Sequence, residues 1–136
     1  MARARAVIIE NGKVLALERN KTDDRFWCFP GGEIEKGESA KEALERECLE
    51  EVNVGITVGK KIHRQDFEGQ QVDFYLGRIV KGKVSRGSGP EYLQQDRTNS
   101  YRPVWLPIKD LDKYDLRPNG LRDKVHTNTD AYTKKI

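Results

Sequence analysis

Apolar and polar positions alternate along residues 2–9 and again along 13–19. Asn11-Gly12 sits between the two runs, and that arrangement predicts a β-hairpin. In the second run, Val14, Ala16 and Glu18 alternate with Leu15, Leu17 and Arg19, so each set faces one side of a sheet. Residues 21–24, Lys-Thr-Asp-Asp, read as a loop, and Arg25 to Phe29 as a short aromatic strand broken at Pro30-Gly31-Gly32. A long loop is expected over Gly31 to Glu38. The period then changes. Residues 40–52 hold no Gly or Pro and are rich in helix formers, and Ser39 with Glu42 three places on has the spacing of a capping box. Asn53 suits a left-handed C-terminal cap. Alternation returns over 55–66 and 71–80 with a turn between them. A glycine-rich loop follows from Lys81 to Glu91, and residues 93–100 read as a helical turn or more loop. Residues 101–107 predict a strand, and Pro103 argues for an edge or a bulge. A short helix and turn is expected over 108–116. Pro118 begins a last helix, and residues 127–136 are polar enough to fray.

The helix carries the unusual feature. Positions 40, 44, 47 and 51 advance by four, three and four, so they form one stripe. The stripe starts as Ala40 and Leu44 and continues as Glu47 and Glu51, with Glu50 beside them. Like charges at these spacings cost about 0.2–0.5 kcal/mol per pair on an exposed helix, and more when partly buried. They also lie toward the negative end of the helix dipole. A divalent cation would offset the repulsion, and oxygen donors without His or Cys select Mg²⁺ or Mn²⁺ over Zn²⁺. A solvated acidic face paired with lysines accounts for the helix equally well when the helix is taken alone.

Composition supports a single patterned domain over residues 1–136: 36% of the residues are hydrophobic and 35% charged. Charge is unevenly placed. Residues 30–54 hold eight acids and three bases, a balance of −5, which leaves +8 on the rest of a chain whose net charge is +3. An acidic island in a basic chain fits a cation held locally with an anion around it. No apolar run is long enough to span a membrane. Cys28 and Cys48 lack a Cys-x-x-Cys spacing and read as reduced, buried thiols of a cytoplasmic protein.

The residues around the helix complete a pattern. Gly32, five residues, Glu38, seven residues and then Arg46-Glu47-Cys48-Leu49-Glu50-Glu51-Val52-Asn53-Val54 resembles the Nudix box, Gly-x5-Glu-x7-Arg-Glu-U-x-Glu-Glu-x-Gly-U, where U is bulky and apolar. Cys48 stands at an apolar position and Asn53 replaces the final glycine; neither change touches a carboxylate. The resemblance, to a small MutT-like Nudix hydrolase, implies an α+β fold, an α/β/α sandwich with a mixed sheet between helices. It implies a Mg²⁺-dependent (or Mn²⁺-dependent) pyrophosphohydrolase. The substrate class is a nucleoside diphosphate linked to another moiety: a nucleoside triphosphate, nucleotide sugar or dinucleoside polyphosphate. Glu47, Glu50 and Glu51 are then metal ligands, with Glu38 and the Gly31 backbone as further candidates. Arg46 orients a box glutamate, and Glu47, Glu50 or the loop residue Glu91 serves as base. Outside the box, Arg5, Arg64, Arg102 and Phe26 are the candidates for holding substrate, through paired N–H bonds to phosphate and stacking on a base. The expected partner is a small nucleotide, with no membrane and no nucleic acid, acting as a monomer or homodimer. The competing reading is a Nudix-fold module that binds a nucleotide or RNA without cleaving it.

Overall fold

The computed structural model describes residues 2–134, apart from residues 68, 90, 91, 93, 94 and 96–98; the side chains of 67, 130, 131, 133 and 134 are likewise outside the description. Strands β1 (Arg3–Glu10) and β2 (Lys13–Lys21) form the expected hairpin, with Ile9 opposite Val14. Strand β3 (Asp24–Cys28) pairs antiparallel with β2. Strand β4 (Gly31–Glu33) returns antiparallel to the start of β1, placing Gly31 opposite Arg5 and Glu33 opposite Arg3. Helix α1 (Ala40–Val52) follows, then the long hairpin of β5 (Gly55–Phe67) and β6 (Gln70–Lys81). β6 lies parallel to β1, and β7 (Asn99–Pro107) pairs antiparallel with β2. A 3-10 turn (Ile108–Lys113), the two-residue strand β8 (Leu116–Arg117) and helix α2 (Asn119–Lys134) complete the chain.

The result is a curled, mixed eight-stranded sheet in the order β5-β6-β1-β2-β3-β8, with β4 added to β1 and β7 to β2. The helices cover opposite faces, which is the α+β sandwich. Side-chain alternation builds both layers. Val7, Val14 and Ala16 pack with Phe29, Phe74, Leu121 and Val125 under α2. Ala4, Ala6, Ile8, Leu15 and Leu17 pack with Leu44, Cys48 and Val52 of α1. β1 and β2 are therefore buried on both faces, as strands at the centre of a sandwich are.

The ends of α1 follow the sequence signals. Ser39 accepts from the Glu42 N–H at 3.1 Å, and the Glu42 carboxylate accepts from the Ser39 N–H at 2.9 Å. Asn53 takes the left-handed conformation, φ 61° and ψ 37°. Three features depart from the sequence reading. The first three residues of the expected long loop pair as β4. Residues 127–134 continue as helix, with a break in helical geometry at Asn128. There Thr127, Asn128 and Thr129 bond back to the carbonyls of Asp123, Lys124 and Val125, a competition that bends helices rather than ending them. The two-residue strand β8 had no signal in sequence. No described helix is long and apolar enough to cross a membrane.

The capping box gives a direct prediction. Ser39→Ala is expected to lower stability by about 1 kcal/mol, with the unfolding slope unchanged; chemical denaturation measures it, and an unaltered midpoint would contradict the assignment.

Candidate active site

Ala43, Leu44, Cys48 and Val52 anchor α1 to the sheet. That fixes the helix rotation, and the adjoining stripe brings Glu47 and Glu51 to the edge of a cleft of about 300 Å³. Four carboxylates line it, Glu33, Glu35, Glu47 and Glu51. Arg3, Arg5 and Arg19 line it too, with Tyr101, Leu17 and Cys28, and Arg3 lies 3.7 Å from the Glu33 carboxylate. Two larger hollows, of about 590 Å³ each, hold a single carboxylate, Glu10, between them among the described residues. Chemistry rather than size distinguishes the smaller cleft.

Arg46 organises the acids. Its Nε and Nη2 donate to the two carboxylate oxygens of Glu38 at 2.8 and 3.0 Å. Its Nη1 donates to Glu47 at 2.9 Å and to Glu50 at 3.3 Å, and Glu35 lies 3.6 Å away. Nη2 also reaches the Glu33 carbonyl, tying α1 to β4. The bond from Arg46 holds the Glu38 carboxyl below the usual carboxylate range, helped by the Glu35 N–H. Glu51 is 7% exposed and accepts from the Gly31 N–H at 2.8 Å. Gly32 makes room for Glu47: a Cβ there would lie 2.8 Å from its carboxylate oxygen. Burial, with the charges of Glu51 and Glu47, pushes the Cys48 thiol far up, so it stays protonated.

One guanidinium thus faces four carboxylates, Glu35, Glu38, Glu47 and Glu50, before Glu51 is counted. The cluster keeps a negative excess, its donors are all hard oxygens, and three of its carboxylates, Glu35, Glu47 and Glu51, border an open cleft. In kind, these residues fit a hard divalent cation. In arrangement, the carboxylates are held by Arg46 and the Gly31 N–H, and among the described residues no three acidic, His or Cys side chains converge to hold an ion by themselves.

Of the substrate-binding candidates, Arg5 lines the cleft and donates to the Phe29 carbonyl at 2.6 Å. Arg64 does not line it: across the β5–β6 pair it grips Asp73, at 2.6 and 3.1 Å. Arg102 does not either; it bonds Glu18 at 2.9 Å, on the face of β2 opposite Arg19. Both arginines are committed to carboxylates on neighbouring strands. Phe26 is buried beneath the guanidinium of Arg117, 4.1 Å from its ring centroid, and is a core residue rather than an open platform. Glu91 lies outside the described residues. Arg19 was absent from the substrate set, yet it lines the cleft with its guanidinium 3.8 Å from the Tyr101 ring centroid. The available signal was its place in the alternation of β2, on the Leu15–Leu17 face. The Nε atoms of Arg5 and Arg19 are buried with no hydrogen-bond acceptor among the described residues.

A family model described as NUDIX domain matches residues 1–126. The CTP pyrophosphohydrolase of Escherichia coli K12 is 34% identical over 118 residues, which cover 83% of this chain and 80% of that protein. The 8-oxo-dGTP diphosphatase of Buchnera aphidicola (from Acyrthosiphon pisum) is 36% identical over 87 residues, 60% of this chain and 68% of that protein. Among solved structures, the E. coli ORF135 protein superposes with a TM-score of 0.69 at 24% identity, covering 96% of this chain and 91% of that one; at that identity the likeness is one of fold.

Arg46 provides the pH prediction for the site. In the folded protein the Glu38 carboxyl should titrate below the ordinary value of about 4.3, so its tie to Arg46 is complete above that value and is lost as pH falls through the lowered one. In Arg46→Gln the midpoint should return toward the ordinary value. Side-chain carboxyl ¹³C NMR reads both, and equal midpoints in the two proteins would contradict the assignment.

Proposed function

The chain belongs to the NUDIX domain family, and from that premise we propose that it is a divalent-metal-dependent pyrophosphohydrolase converting nucleoside triphosphates to nucleoside monophosphate and pyrophosphate. It is a Nudix hydrolase, an enzyme acting on phosphoric anhydrides. The observation that carries the finer reading is the cleft itself, lined by four glutamates, of which Glu47 and Glu51 are largely buried, and by three arginines. The names of two relatives, one for CTP and one for 8-oxo-dGTP, favour triphosphates over other nucleotide diphosphates.

In this reading Glu47, Glu50 and Glu51 hold the cation, with Glu38 and the Gly31 carbonyl as further donors. When bound, a divalent cation supplies positive charge against the phosphates and makes water a better nucleophile. The chain's own residues do the rest. Arg3, Arg5 and Arg19 receive the phosphate chain through their N–H groups, and the buried Nε atoms of Arg5 and Arg19 are suited to an anion. Tyr101 supplies an aromatic edge for the nucleoside. Arg46 bridges Glu47 and Glu50 through its Nη1 and fixes their positions. The oxygen of a water bonds to phosphorus, the bond from phosphorus to the bridging oxygen breaks, and pyrophosphate leaves. The proton of that water goes to a carboxylate, Glu47, Glu50 or Glu91.

Nucleoside monophosphate release across a panel of nucleoside triphosphates, nucleotide sugars and dinucleoside polyphosphates, with pyrophosphate as the second product from the triphosphates, tests the substrate class. Glu50→Gln and Glu51→Gln should each lower kcat by at least about a hundredfold. Both should stay folded, because in Glu51→Gln the new amide oxygen can still accept from the Gly31 N–H. Near-full activity in either would remove it from the ligand set. Glu91→Gln should lower kcat with KM little changed, and an unaltered rate would remove Glu91 from the catalytic group. Arg19→Ala should raise KM severalfold, whereas Arg64→Ala and Arg102→Ala should leave it within about twofold, since neither residue lines the cleft.

A further inference from the structure

The C-terminal end of α1 is closed by a distant stretch of chain. Helix α1 has no basic residue in its last turn, so its final carbonyls need donors from elsewhere. They come from the segment after β6. The N–H groups of Ser85, Gly87 and Gly89 donate to the carbonyls of Val52, Glu51 and Glu50 at 3.1, 3.3 and 2.9 Å. Every second residue of an extended segment thus serves the next carbonyl back along the helix. The fit is close: a Cβ on Gly87 would lie 1.7 Å from the Glu50 carbonyl oxygen. Tyr92, 4% exposed, completes the closure by donating its hydroxyl to the Glu51 carbonyl.

Tyr92 also reaches the Arg19–Tyr101 lining of the cleft. Its ring meets the Tyr101 ring edge-on at 6.2 Å, and Tyr101 carries the Arg19 guanidinium on its face. Arg86 fixes Tyr92 from behind, donating to its carbonyl at 3.0 Å and lying 5.0 Å from its ring centroid. A contiguous path therefore runs from the Glu51 backbone through Tyr92 and Tyr101 to Arg19, joining the α1 lining of the cleft to its β2 lining.

We infer that Tyr92 is a positioning residue that sets the distance between the α1 lining of the cleft and its Arg19–Tyr101 lining. Its hydroxyl serves the α1 lining and its ring the Arg19–Tyr101 lining. The inference rests on the reading of this cleft as the hydrolytic site. The two halves of the side chain separate by mutation. Tyr92→Phe keeps the ring and removes the donor to Glu51. Tyr92→Leu removes both.

The experiment compares wild type, Tyr92→Phe and Tyr92→Leu in melting temperature, in Mn²⁺ affinity read from the free-ion electron paramagnetic resonance signal, and in kcat and KM for a nucleoside triphosphate. Tyr92→Phe should weaken Mn²⁺ binding and lower kcat, each by about fivefold, the effect of losing one hydrogen bond, with KM within about twofold. Tyr92→Leu should add a severalfold rise in KM. Gly87→Ala, which pushes the segment off the Glu50 carbonyl, should reproduce the Tyr92→Phe pattern. Variants that melt earlier yet keep wild-type Mn²⁺ affinity, kcat and KM would reduce Tyr92 to structural glue and overturn the inference. If Tyr92→Leu fails to fold, Tyr92→Phe decides alone. A wild type that binds Mn²⁺ and cleaves nothing would sink the proposed hydrolysis, while the Mn²⁺ affinities of the variants would still judge Tyr92. A wild type that takes up no Mn²⁺ would overturn both.

Discussion

The repulsion among the carboxylates of α1 is the constraint around which this structure is arranged. Two unit charges about 4 Å apart interact by about 4 kcal/mol at the effective dielectric of a protein surface. Glu47 and Glu51 are largely removed from water, and they sit at the end of a helix whose dipole disfavours them. The fold meets this cost partly. Arg46 spreads its donors over Glu38, Glu47 and Glu50, and the Gly31 N–H serves Glu51. The remaining negative excess is what suits the cluster to a divalent cation. A purely structural helix gains nothing from it.

Everything near the cleft can be traced to holding that cluster in place. Four buried residues of α1 set its rotation. Strand β4 lies against β1, so Gly31 is opposite Arg5 and Gly32 is opposite Ala4. These two glycines thus supply the N–H for Glu51, the space for Glu47 and the neighbours of the strand that carries Arg5. The α1 carboxylates and the arginines of the cleft stand on different elements, α1 for the one and β1 and β2 for the other, and β4 bonds to both α1 and β1.

Much of this was legible in the sequence because it was local. The capping box, the left-handed Asn53 and the acidic continuation of the stripe are all decided within one helix, where spacing maps directly onto a face. The alternation of Val14, Ala16 and Glu18 with Leu15, Leu17 and Arg19 likewise sorts the residues onto two faces, and those faces pack under different helices. The parts that were not legible depend on long-range pairing. Gly31–Glu33 has no strand propensity of its own and becomes β4 only because the start of β1 is available. Arg64 and Arg102 had the right chemistry for phosphate, but their ion pairs with Asp73 and Glu18 are set by sheet register. Phe26 could not be told from an open stacking platform until Arg117 was seen above it. The resemblance to the Nudix box supplied the sandwich, which periodicity alone does not.

Thermal melting against magnesium concentration tests the central claim most directly, because it needs no substrate. An ion that binds the folded state a hundredfold above its Kd stabilises by about 2.7 kcal/mol. For a domain of this size that is a rise of about 8 °C. Wild type should show such a rise, and Glu51→Gln, with one charge removed and the Gly31 bond retained, should show little. A wild-type melting temperature indifferent to Mg²⁺ and Mn²⁺, or an equal rise in Glu51→Gln, would contradict the account.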